Sequence, residues 1–103
     1  MTKQRISYRH HLDERLRDPE YAAEFLTAAA EEGQAELLLA LRDIARAAGV
    51  AEVAGRARRG RESLYKTLSE SGNPSLDTLL SVIGALGLKL HFEPSDTLSP
   101  DSR

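Results

Sequence analysis

Apolar positions in this chain recur at helical spacing over most of its length and switch to strict alternation only near the end. Tyr8, Leu12 and Leu16 stand four residues apart and predict a short helix ahead of Asp18. Asp18-Pro19-Glu20 reads as a helix start. The Asp18 carboxylate can cap, and Pro19 suits the first helical position, where a missing N–H costs nothing. Tyr21, Phe25, Leu26 and Ala29 share one face of a helix expected over 19–32, with Gly33 as its left-handed stop. The next helix is expected over 34–48, with Leu37, Leu38, Leu41, Ile44 and Ala45 inward and Gly49 ending it. Two short helices follow at 51–57 and 61–71. Asn73-Pro74 then punctuates the chain, and Ser75 is the expected cap of a helix over 75–86 whose apolar stripe is Leu76, Leu79, Leu80, Ile83 and Leu86. Beyond it Leu88, Leu90 and Phe92 alternate with Lys89, His91 and Glu93, the pattern of a half-buried strand.

These elements predict an all-α, five-helix domain over 18–94 that ends in a short β-strand. A 1–17 extension with its own short helix precedes it, and a polar tail over 95–103, expected to be disordered, follows. Within the domain, small and apolar residues at Val53, Ala54, Ala57, Leu64 and Leu68 fit two helices crossing at a short turn. The second of them opens with polar residues too exposed to be core. That is a helix-turn-helix of the lambda-repressor type, in which one helix lies across the DNA backbone and the next enters the major groove.

Composition changes this picture little, and charge changes it more. A chain of 103 residues with 41% hydrophobic and 29% charged residues is one ordinary globular domain. No apolar run approaches the roughly 18 residues that would span a membrane. The basic N-terminus has no apolar stretch behind it to make a secretory signal, and cysteine is absent, so a cytoplasmic location is expected. The net charge of −2 is unevenly spread. Residues 1–32 hold five basic and seven acidic groups, whereas 42–66 hold seven basic groups (Arg42, Arg46, Arg56, Arg58, Arg59, Arg61, Lys66) against three acidic ones. Positive charge is focused on the turn that would meet DNA phosphates.

Catalytic and metal chemistry find no footing. His10 and His11 point about 100° apart on a helix and lack partners one turn further on, so a solvated surface explains them better than a metal site. No serine or carboxylate stands in a nucleophile-and-base motif, and there is no glycine-rich phosphate loop. Neither an enzyme nor a cofactor is expected.

Four stretches carry a more specific signal: DPEYAAEFLTAAAEEG from Asp18, LLLALRDIARAAGV from Leu37, RESLYKTLSESGNPSLDTLL from Arg61 and ALGLKL from Ala85. Through them the chain from about Tyr8 to Pro94 resembles the small addiction-module antidote proteins, the Xre/HigA-type antitoxins of type II toxin–antitoxin pairs. The resemblance implies that Arg61, Glu62 and Lys66 reach base edges. Arg61 is suited to a bidentate contact with guanine and Glu62 to accepting from a cytosine amine. Arg58, Arg59, Ser63 and Tyr65 are better assigned to phosphates, although the Tyr65 ring has an alternative use against helix 75–86. This chain departs from its relatives at Ala51, which cannot cap a helix as serine does. It departs also at Arg58, which must take a turn conformation that glycine adopts freely, and at Arg59, which replaces an apolar residue.

The resemblance further implies two partners, operator DNA and a small basic RelE/ParE-like toxin. The acidic N-terminal 32 residues would meet the toxin, with Tyr8, Leu12, Tyr21 and Phe25 as apolar anchors, unless that segment only completes the core. Leu88, Leu90 and Phe92 would pair with a second copy to form a homodimer. A stand-alone repressor, or an interaction module that has lost DNA affinity, are the competing readings.

Overall fold

A computed structural model describes residues 11–95 and shows six helices among them. They are α1 (11–16), α2 (Pro19–Glu32), α3 (Gln34–Ala48), α4 (Val50–Ala57), α5 (Arg61–Thr67) and α6 (Leu76–Ala85). The expected caps are in place. The Asp18 carboxylate accepts from the Glu20 N–H at 3.1 Å, with Pro19 in the first turn, and the Ser75 hydroxyl accepts from the Thr78 N–H at 3.1 Å. Gly33 closes α2 through its N–H to the Ala29 carbonyl. Its φ of 144° and ψ of 178° place it in the glycine-only extended region rather than the expected left-handed helical one, which lets α3 begin at the next residue.

α2 packs along α3, and α4 packs on both α3 and α6. The main core joins Leu38 and Leu41 of α3, Val53, Ala54 and Ala57 of α4, Leu64 and Leu68 around α5, and Val82, Ile83 and Ala85 of α6. A second cluster of Leu16, Ala22, Ile44 and Ala47 ties α1 and α2 to the back of α3. Polar contacts reinforce it. Arg17 Nε donates to the Ala47 carbonyl at 3.1 Å, satisfying an orphan acceptor at the end of α3. Arg46 bridges Asp13 at 3.2 Å and Asp43 at 3.0 Å. Burial works against the Arg46 charge, but the two carboxylates outweigh it and hold the proton more tightly than usual.

Three further expectations fail. First, α5 ends at Thr67, not at residue 71. Leu68 turns out of helical geometry, Ser69 Oγ donates back to the Lys66 carbonyl at 2.9 Å, and the Gly72 N–H donates to the Ser69 carbonyl at 2.8 Å. The Ser/Gly/Asn-rich sequence gives the backbone local alternatives to the helical ladder.

Second, Leu76 and Leu80 do not face the core; they are 64% and 44% exposed. α6 is apolar around much of its circumference, and the fold covers only the side carrying Val82, Ile83 and Ala85.

Third, no strand forms among the described residues. Gly87, at φ 79°, donates to the Gly84 carbonyl, and Leu88 donates to Ile83 at 3.1 Å, a Schellman closure of α6. Leu88 is half-buried against both cores, while Leu90 and Phe92 are 48% and 88% exposed. A strand exists only through a ladder partner, and the described residues of a single copy offer none.

Candidate nucleic-acid interface

The turn between α4 and α5 is built on a strained residue. Arg58 sits in the left-handed helical conformation, φ 58° and ψ 45°. Its N–H donates to the Gly55 carbonyl at 3.2 Å and the Arg59 N–H donates to Ala54 at 2.9 Å, so α4 also ends in a Schellman closure. At the other end of α4 the cap position is Gly49 rather than Ala51, and no side chain serves it. Arg58→Gly is expected to stabilise the fold by about 1 kcal/mol, because the left-handed cost of a side chain disappears. Urea denaturation reads this effect.

Gly60 then swings the chain into α5, and its carbonyl accepts from the Leu64 N–H at 2.8 Å. Leu64 and Leu68, four apart and buried, fix which side of α5 faces the core. Glu62 and Lys66, also four apart, therefore point the opposite way, and Arg61 and Ser63 are exposed beside them. Gly60, Arg61, Glu62, Ser63 and Tyr65 line one open concavity on this surface. No carboxylate pairs with Arg58, Arg61 or Lys66 among the described residues.

Two of the expected phosphate ligands are committed elsewhere. Arg59 is half-buried, and its Nη2 donates to Thr78 Oγ1 at 3.0 Å, strapping the turn to the first turn of α6. Ser75 Oγ donates to the same oxygen, and Arg59 Nε is buried without a partner among the described residues. The Tyr65 ring lies under Arg42 of α3, whose Cζ is 4.7 Å from the ring centroid. Arg42 belongs to the basic block over 42–66, and only the position of α3 beside α5 brings it to this surface.

The expected toxin anchors fall on the second cluster. Leu12, Tyr21 and Phe25 are half-buried against it, with the Tyr21 and Phe25 rings stacked at 6.3 Å and Arg15 over Tyr21 at 5.9 Å. Tyr8 lies outside the described residues. Among those residues no helix is long and apolar enough to cross a membrane.

An uncharacterized protein of Haemophilus influenzae is 40% identical over 83 residues, which cover 80% of this chain and 86% of that protein. No solved structure matches. The family described as probable addiction module antidote protein matches residues 7–94, which include every described helix. On that match across six helices and their connecting turns, the chain belongs to the probable addiction module antidote protein family.

Proposed function

We propose that this protein is the antidote of a toxin–antitoxin pair: it neutralises a small basic RelE/ParE-like toxin by direct binding and represses its own operon through α4 and α5. The observation that carries the DNA half is the outer face of α5. It presents Arg61, Glu62, Ser63 and Lys66 to solvent on a helix whose opposite side is locked into the core, with Arg58 at its approach. Such a helix reads base edges when it lies in the major groove, and an arginine at its approach, here Arg58, holds the register on phosphates.

A homodimer completes this reading. Leu76, Leu80, Leu90 and Phe92 are large apolar side chains left to solvent by a single copy. Covering them about a two-fold axis would set two α5 helices against a palindrome, whose half-sites stand roughly 34 Å apart. Leu88 is already partly spent on the core, so Leu90 and Phe92 carry the tail's share.

For the toxin, the exposed carboxylates of α2 (Glu20, Glu24, Glu31 and Glu32) offer an acidic face to a basic partner. Deleting residues 1–17 is a poor probe of that face, because it strips Leu16 from a core and removes the Arg17 and Asp13 contacts. Charge reversal tests it without disturbing the core. Co-expressed with the product of an adjacent short basic reading frame, the wild-type chain is expected to co-purify with it and restore growth. Glu20→Lys with Glu24→Lys is expected to lose the toxin while retaining salt-dependent binding to upstream DNA. Full neutralisation by that double variant would move the toxin site off α2. A wild-type chain that binds no basic neighbour and no upstream DNA would remove the whole reading.

A further inference from the structure

The cations of this fold divide into two groups by what they touch. Arg17 is spent on the Ala47 carbonyl, Arg46 on Asp13 and Asp43, Arg56 on Glu52 at 2.6 Å, and Arg59 on Thr78. Arg42 has neither a carboxylate nor a carbonyl partner among the described residues; its neighbour Asp43 is taken by Arg46. Its guanidinium lies instead over the Tyr65 ring, with Cζ 4.7 Å from the centroid. Tyr65 in turn lines the concavity shared with Arg61, Glu62 and Ser63. Arg42 is half-buried, so part of its side chain remains accessible to solvent.

A guanidinium over an aromatic face keeps its N–H groups directed outward, beyond the ring, where they match a phosphate's oxygens. We propose that Arg42, which belongs to α3 and lies outside the helix-turn-helix, is a backbone-phosphate contact for duplex DNA, aimed by the Tyr65 ring. The proposal rests on the DNA-reading assignment of α5. It gives Tyr65 a role of its own, as the shelf that orients Arg42 at the edge of the recognition surface.

The test is the salt dependence of binding to a duplex carrying the protein's own upstream sequence and to an unrelated duplex of equal length. Neutralising a phosphate contact lowers the slope of log affinity against log salt by about one, on both duplexes alike. Arg42→Gln, which keeps most of the aliphatic stem, is expected to show that drop and roughly tenfold weaker binding at low salt. Arg42→Lys retains the slope, and Tyr65→Phe keeps the shelf and retains it too. Tyr65→Ala weakens binding as Arg42→Gln does, and combining the two adds little, because each removes the same contact.

Unfolding midpoints identify any variant whose loss is only instability, since Arg42→Gln must lower the slope while keeping its fold. An unchanged slope in Arg42→Gln, with Arg61→Ala impaired, would overturn this proposal and leave the DNA reading standing. Absence of salt-dependent binding by the wild-type chain would overturn both.

Discussion

Gly72→Ala is expected to destabilise the protein by about 3 kcal/mol, the upper end of ordinary overpacking. An added Cβ would fall well inside van der Waals contact with the Thr67 carbonyl oxygen, 2.9 Å from that carbonyl's carbon and 3.1 Å from the Ser69 carbonyl oxygen. These are backbone atoms of the turn that stops α5, so no side chain can rotate away to make room. The same glycine offers its carbonyl to Gln34 Nε2 at 3.2 Å, so a displaced turn also loses its contact with the start of α3. A domain of this size holds about 5–15 kcal/mol in total, and losing 3 would lower its melting point by many degrees. Gly55→Ala is the matched control. That residue is exposed inside α4, and nothing lies within 4 Å of the Cβ it would gain. It is expected to stabilise by about 0.5–1 kcal/mol. Urea denaturation of the pair compares both signs in one experiment, and equal stability of the two variants would contradict the packing around Thr67.

On the proposed DNA-reading role of α5, Arg61→Ala combined with Lys66→Ala is expected to abolish discrimination of the operator from unrelated DNA. A good base contact contributes about 1–3 kcal/mol, so losing both side chains reduces specific affinity by two orders of magnitude or more. Neither side chain touches the core, and neither has an ion-pair partner among the described residues, so stability is expected to stay within about 0.5 kcal/mol of wild type. That separation makes the experiment decisive: binding should fall while the unfolding midpoint holds. Unchanged operator affinity would take the base-reading role away from α5.

Arg58 and Arg59 show how two adjacent, chemically identical residues part company. The sequence places both in the turn and assigns both to phosphates. In the fold Arg58 is exposed and bears the left-handed strain that a glycine would avoid, whereas Arg59 turns inward and bonds to Thr78. An arginine at a position expected to be apolar is accommodated because its stem packs and its head finds the hydroxyl of α6. Nothing in the local sequence specifies that partner, which is 19 residues away.

What the sequence alone determines here is governed by short-range physics. The starts of α2 and α6 follow from a capping oxygen two or three residues ahead of the N–H it accepts from. The inward faces of α3 and α5 follow from residues spaced three and four apart. Arg58's conformation was legible for the same reason, because helix closure is a contest among a few consecutive residues. Tertiary structure decided what periodicity cannot express. Leu76 and Leu80 continue the apolar stripe of α6 yet remain exposed, since burial depends on which neighbour covers a face and only one side is covered. The alternation of Leu88, Leu90 and Phe92 describes a strand only if a second backbone lies alongside, and within one chain Leu88 is drawn instead into the closure of α6. The Arg42–Tyr65 and Arg59–Thr78 contacts join residues 23 and 19 positions apart through the crossing of helices, a geometry set by the packing of the whole core rather than by any segment of it.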